Sequence, residues 1–290
     1  MKTLVIGGTG TVGALLVENL VRRGIEPRVM VRSASRVSLV PTGANAVIGN
    51  LVADPQGAAA AFQGIEAVFM LNPPSENETI EGLIAVELAR SAGVRRFVYQ
   101  SCHRLEEMAH LPHLGAKLAI SHAVAKSGMD YTFVCPNHFF QNDIRLRTEL
   151  TEQGRFAEPL GGIGVWGVDA RDIAEAAAIV LTSDGHTGQS YNLVGPENIT
   201  GESRAAIWAE ALSRTVTYVD DPDTWRAGLW PGIPGWLVFD LTLMYGHFAK
   251  SGMPGTPGEV ERLTRLLGHS PRSFKAFARE CAIDWQTAAN

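Results

Sequence analysis

The stretch Thr3-Leu4-Val5-Ile6-Gly7-Gly8-Thr9-Gly10-Thr11-Val12-Gly13 reads as a strand, a glycine turn and a helix start. Residues 3–6 are apolar and β-branched without polar alternation, the pattern of a strand buried on both faces. Beyond the glycines, Val12, Leu15, Leu16, Leu20 and Val21 recur at helical spacing. Gly24, after Arg22 and Arg23, marks the helix end. A glycine turn between a buried strand and a helix is the context in which G-x-x-G-x-x-G at Gly7, Gly10 and Gly13 reads as a dinucleotide-phosphate loop. The first glycine allows the tight turn, the second a close backbone approach to a pyrophosphate, and the third close packing of helix on strand. Thr9, Thr11 and Val12 complete the loop, and the helix start offers free N–H groups and a positive dipole end.

Outward from this unit the alternation repeats. Strands are expected at 28–31, 46–48, 67–71, 96–100 and 130–134. Helices are expected from Asp54-Pro55 to Gly64, over 78–92, and over 114–127, closed in turn by glycines 64, 93 and 128. Strand and helix in alternation, with strands this continuously apolar, make a parallel α/β sheet. After about residue 150 the pattern loosens and Gly, Pro and Trp rise. The organisation expected is a nucleotide-binding domain over 1–150 and a smaller α+β lobe over 151–290, interleaved with returning sheet elements at 165–195 such as Tyr191-Asn192-Leu193-Val194. The Trp/Pro-rich stretch 225–248, with Trp230 and Trp236, is a substrate lid, the core of the lobe, or a dimer contact.

Composition limits the function classes. Apolar residues are 46% of the chain and charged residues 19%, enough for a full core and against disorder. The net charge of −5 argues against nucleic acid as the ligand. Cys102, Cys135 and Cys281 are too few and too scattered for a disulfide framework, and neither they nor the scattered histidines form a metal site. No apolar run reaches the length of a membrane span, and the start lacks the order of a signal peptide, so the expected address is the cytoplasm.

The end of the second strand chooses the cofactor. An acidic residue about 20 positions past the loop would bind the ribose hydroxyl of NAD, whereas an Arg accepts the 2′-phosphate of NADP. Here Arg32 and Ser33 stand at that place, which favours NADP(H).

The chain resembles the NmrA-like group of atypical short-chain dehydrogenases/reductases. The resemblance is carried by Val5 through Gly13, Val31-Arg32, Gly49-Asn50-Leu51, Val68-Phe69-Met70-Leu71-Asn72-Pro73-Pro74, Ala92 through Ser101, Ser127-Gly128-Met129-Asp130-Tyr131-Thr132, Pro136-Asn137-His138-Phe139-Phe140-Gln141-Asn142, Val168 through Ala174 and Leu267 through Phe274. It implies a Rossmann-type doubly wound parallel sheet, an NADP(H) site and a substrate cleft under the small lobe. It implies either a reductase for quinones, triphenylmethane dyes and related small acceptors, or a nucleotide-sensing regulator without turnover. Asn50 replaces the family's usual Asp at the adenine contact, and Cys135 stands where an Arg often precedes the Pro.

The wider superfamily pairs Tyr-x-x-x-Lys on a helix with a Ser on the preceding strand. The matching spacing here is His113-x-x-x-Lys117, with Ser101 at the end of the fifth strand. Four residues are about one helical turn, so both side chains face one way. Lys117 would hold the nicotinamide ribose. His113 would protonate the acceptor, since imidazole exchanges protons near neutrality. Ser101 would bond the same acceptor atom. A helix-start role for His113 and a strand-end hydrogen bond for Ser101 are the structural alternatives. Asn72 and Pro73 would lie along the cofactor, and His138 and Phe139 would line the substrate pocket with the tryptophans. The partner is a small molecule, and the chain is expected to act as a monomer or homodimer.

Overall fold

The computed structural model describes residues 1–229 and 232–287. In chain order the strands are β1 (Thr3–Ile6), β2 (Arg28–Val31), β3 (Asn45–Ile48), β4 (Ala67–Met70), β5 (Arg96–Gln100), β6 (Asp130–Pro136), β7 (Arg155–Phe156), β8 (Gln189–Leu193) and β9 (Thr217–Tyr218). The helices are α1 (Thr11–Arg22), α2 (Pro55–Ala58), α3 (Glu78–Ser91), α4 (Pro112–Lys126), α5 (Ala170–Thr182), α6 (Gly201–Leu212), α7 (Pro222–Ala227), α8 (Gly235–Ser251), α9 (Pro257–Leu267) and α10 (Phe274–Thr287). The chain forms two compact units, each discontinuous: Met1–Pro136 with Ala170–Asn192, and Asn137–Asp169 with Leu193–Asn290. The chain thus leaves the first unit at Pro136, before the residue-150 boundary read from composition.

The first unit is a seven-stranded sheet in the order β3-β2-β1-β4-β5-β6-β8. Its neighbours run parallel in clean register, with Val5 beside Val29 on one side and Phe69 on the other. β1 and β4 are buried along their whole length, as the continuous apolar runs require. α3 packs against α4, and α1 against α5. The reversal of strand order beside β1 makes its carboxyl end a topological switch point, where ligands of such sheets bind.

Leu4, Leu16, Leu20, Phe62, Phe69 and Phe97 are fully buried. Each contributes about 1.5–3 kcal/mol by leaving water. The Ala-rich segment after Asp54 differs from the expected single helix. The Asp54 carboxylate accepts from Gly57 N at 2.9 Å, starting α2, and the chain then tightens into a 3₁₀ turn over Ala59–Phe62 that buries Ala61 and Phe62.

The second unit is α+β. β7 and β9 form a two-stranded parallel ribbon. Its core stacks Trp208 on Trp285 with centroids 5.1 Å apart, beside Phe140, Phe274 and Phe277. Inside that core Asp143 accepts from Arg204 Nε (2.9 Å) and Nη2 (2.8 Å) and from Trp208 Nε1 (2.7 Å). Asp143 and Arg204 are both fully buried.

Candidate functional site

The carboxyl ends of β1, β2, β4 and β5 share one edge of the sheet, so the glycine loop, Arg32, Asn72 and Ser101 are delivered to it together. Gly7 has φ +88°, and a Cβ there would lie 2.1 Å from the Leu71 carbonyl oxygen. A Cβ on Gly13 would meet the Gly7 carbonyl oxygen at 2.1 Å. Both positions therefore exclude any side chain. Gly10 opens α1 with no side-chain cap, so the first-turn N–H groups of Thr11, Val12 and Gly13 face outward from the loop without helical acceptors. This is a backbone cradle for an anion.

Arg32 follows β2. Its Nη2 sits 3.0 Å from each oxygen of Glu81, in the first turn of α3. Its side chain is 54% exposed and that of Glu81 only 11%. A second arginine, Arg36, reaches Thr9 Oγ1 of the glycine loop at 3.5 Å. The 3₁₀ turn Ala34–Leu39, which carries Arg36, was not expected from the sequence.

Asn50 and Leu51 follow β3 at this edge. The Asn50 side-chain carbonyl accepts from Val52 N (3.1 Å) and Ala53 N (2.9 Å), so the acceptor expected to meet adenine already closes its own loop. Leu51 is buried.

Lys117 lies in α4, one turn after His113, and both are buried. Lys117 Nζ donates to Glu78 Oε1 at 2.7 Å and to the Asn72 carbonyl at 3.2 Å. Asn72 Nδ2 in turn donates to the Glu78 carbonyl (2.9 Å), and Tyr99 Oη to Asn72 Oδ1 (3.4 Å). Glu78 is buried, and its second oxygen, Oε2, has no hydrogen-bond partner among the described residues. Burial pushes the Glu78 carboxyl above its ordinary range, against the downward pull of Lys117 and, more weakly, of His113. α3 and α4 come close enough for this pairing because Gly82 has no side chain; a Cβ there would sit 2.4 Å from Ile120.

Ser101 Oγ and Ser121 Oγ of α4 share a hydrogen bond at 3.1 Å, both buried. Pro73 is exposed beside buried Asn72. Burial pushes the Cys102 thiol up to about 12 and the Cys135 thiol higher still, so neither is a thiolate nucleophile at neutral pH.

His138, Phe139 and Trp236 belong to the second unit. His138 is buried against Phe248, with Nε2 3.1 Å from Asn142 Nδ2 and 3.7 Å from Glu158 Oε1, and with no partner for Nδ1 among the described residues. Glu158 is fully buried and takes Arg145 and Tyr245 as donors. Burial alone would raise its carboxyl, but Arg145 and His138 together hold it far below the usual carboxylate range. Phe139 is half-buried and bridges to Val168. Trp236 is half-buried, with no partner for Nε1 among the described residues. Trp225 packs on Tyr245 at 4.9 Å, so part of the Trp/Pro-rich stretch is core of this unit. Trp230 lies outside the described residues.

Reasoning from sequence missed Glu78, Glu81 and Arg36. The two glutamates are three apart just after Asn72-Pro73-Pro74, in a helix turn that reads as an ordinary charged start. Both are buried, and each meets a cation from a distant element.

Known proteins agree with this architecture. The sequence profile of the NmrA-like family matches residues 1–278. An NAD(P)H azoreductase of Xenophilus azovorans is 30% identical, covering 98% of this chain and 99% of that protein. The triphenylmethane reductase of Citrobacter sp., solved with NADP(H), superposes with a TM-score of 0.84 over 97% of this chain and 100% of that one, at 23% identity. NmrA, a negative transcriptional regulator solved with NADP, superposes with a TM-score of 0.81 over 100% of this chain and 98% of that one, at 22% identity. Across nearly its whole length, then, the chain belongs to the NmrA-like family.

Proposed function

We propose that the chain is an NADPH-dependent reductase delivering hydride to a small apolar, aromatic or quinone-like acceptor. The observation that carries this reading is the convergence on one sheet edge of a side-chain-free anion cradle, two arginines beside it, and a buried lysine one helical turn from a histidine. The cradle fits a dinucleotide, since a Cβ at Gly7 or Gly13 would fill it and the α1 N–H groups are left for phosphate oxygens. NADPH bound there would supply the hydride.

The residues of the chain do the rest. Gly7, Thr9, Gly10, Thr11, Val12 and Gly13 hold the pyrophosphate through backbone N–H groups. Arg32 holds the 2′-phosphate, assisted by Arg36. Asn50 and Leu51 flank the adenine, and Asn72 and Pro73 border the nicotinamide half. Lys117, held by Glu78 and the Asn72 carbonyl, donates to the nicotinamide ribose hydroxyls and fixes the ring. His113 gives a proton to the acceptor atom that gains negative charge. Ser101 supports that atom once it turns from Ser121. The azoreductase and triphenylmethane reductase, named for extended aromatic acceptors, support the choice of acceptor.

A second reading, an NADP(H) sensor without turnover, draws on the likeness to NmrA and on the Ser101 hydroxyl being tied to Ser121. One experiment separates the two. The purified protein is mixed with NADPH and a panel of quinones, azo dyes and triphenylmethane dyes, and the nicotinamide absorbance is followed. Acceptor-dependent loss, reduced at least tenfold by Lys117→Ala, supports the reductase. Tight NADPH binding with no loss across the panel supports the sensor.

A further inference from the structure

The Arg32–Glu81 ion pair joins two elements on opposite sides of β1. Arg32 follows β2, and Glu81 sits in the helix that follows β4. In the sheet β1 lies between those strands. The pair therefore spans the carboxyl end of the strand that delivers the glycine loop, across the line a dinucleotide's pyrophosphate must take. Glu81 is nearly buried and is held in the first turn of a fourteen-residue helix, so Arg32 is the mobile partner. Among the described residues Arg32 pairs through Nη2 alone, and more than half of its side chain is exposed.

We infer that Arg32 and Glu81 form a latch over the dinucleotide groove, opened by exchange of the Glu81 carboxylate for the 2′-phosphate of NADP(H), so that Glu81 is a residue setting cofactor affinity. This rests on the reading of the groove as an NADP(H) site. A dinucleotide with a 2′-phosphate offers Arg32 a replacement anion of higher charge, on which its planar fork can bond in pairs. NADH must open the same latch and leaves the guanidinium with water. The latch thus lowers the affinity of both dinucleotides, and only the phosphorylated one compensates Arg32 for the partner it loses. The carboxylate, if it stayed on Arg32, would also stand beside a phosphate of like sign, which makes exchange, not sharing, the favoured outcome.

The sizes follow from the exposure of the pair. A partly exposed ion pair contributes about 0.2–1 kcal/mol, which is about 1.4- to 5-fold in a dissociation constant. The test is calorimetric titration of the wild type, Glu81→Gln, Arg32→Ala and the double variant with NADPH and with NADH. Each variant is first checked for an unchanged thermal midpoint. Expected are tighter binding of both dinucleotides by Glu81→Gln, by about 1.4- to 5-fold. Arg32→Ala is expected to act with opposite signs: tighter NADH, weaker NADPH. The double variant should bind NADH no tighter than either single one, because each removes the same latch. If Glu81→Gln leaves both affinities unchanged or weakens them while Arg32→Ala weakens NADPH, the latch is refuted and the NADP(H) reading stands. If Arg32→Ala leaves NADPH unchanged, the assignment of the phosphate to Arg32 fails, and the latch fails with it.

Discussion

Replacing Glu78 by Ala should cost the protein about 3 kcal/mol and loosen the half of the site that holds the nicotinamide. The figure comes from the environment of Lys117. Its side chain is 10% exposed and that of Glu78 1%, and its donors go to Glu78 Oε1 at 2.7 Å and the Asn72 carbonyl at 3.2 Å. Removing one partner of a buried pair costs about 3–5 kcal/mol because the other charge is left without compensation. The lower end applies here, since the Asn72 carbonyl remains and the ammonium has a sliver of solvent. The assay is urea unfolding of the wild type, Glu78→Ala, Lys117→Met and the double variant. Lys117→Met leaves a buried carboxylate, but protonation relieves it easily because burial already pushes Glu78 up, so its cost should be smaller. The double variant should be more stable than Glu78→Ala alone, with a coupling of about 1–3 kcal/mol. Strictly additive costs would refute the claim that Glu78 is what holds Lys117.

Other expectations follow from single contacts. Gly13→Ala places a Cβ 2.1 Å from the Gly7 carbonyl, so it should destabilise by about 1–3 kcal/mol and abolish NADPH binding, read by denaturation and titration. Asp143→Ala strands the fully buried Arg204 and the Trp208 N–H, and should cost about 3–5 kcal/mol in urea unfolding. The Glu158 carboxyl is held below its unfolded value, so its stabilisation is complete above the unfolded carboxylate range and is lost as pH falls through the lower folded value. The stability difference between wild type and Glu158→Gln should therefore be constant above about pH 5 and shrink below about pH 4, in unfolding curves taken across that range.

The centre of the sheet was legible because β1, β4 and β5 are buried along their whole length and read as short continuous apolar runs between turn signals. β1, β2 and β5 match the expected residues, and β6 runs two residues further, to Pro136. The 3₁₀ segments over 34–39 and 59–62 were not legible, because a tightened turn depends on which side chains the core pulls in, as with Phe62. The same split holds at the site. Gly7, Gly13, Arg32 and Lys117 announce themselves by spacing from the first strand or along a helix. Glu78 and Glu81 do not, since a carboxylate in a helix's first turn has a sufficient local reason to be there. What makes them different is the cation each meets from an element 39 or 49 positions away in the chain. Asn50 shows the reverse: its type was noticed, but the use of its carbonyl by Val52 and Ala53 depends on the loop that follows.

The proposed reaction is hydride transfer from NADPH to an acceptor by the chain itself. The most direct measurement uses NADPH carrying deuterium on one face of the hydride-bearing carbon, with mass analysis of the reduced acceptor for each face in turn. Deuterium is expected in the product from one face only, at a rate that falls at least tenfold in Lys117→Ala. NADPH that binds tightly but gives no deuterium to any quinone, azo or triphenylmethane acceptor would contradict it.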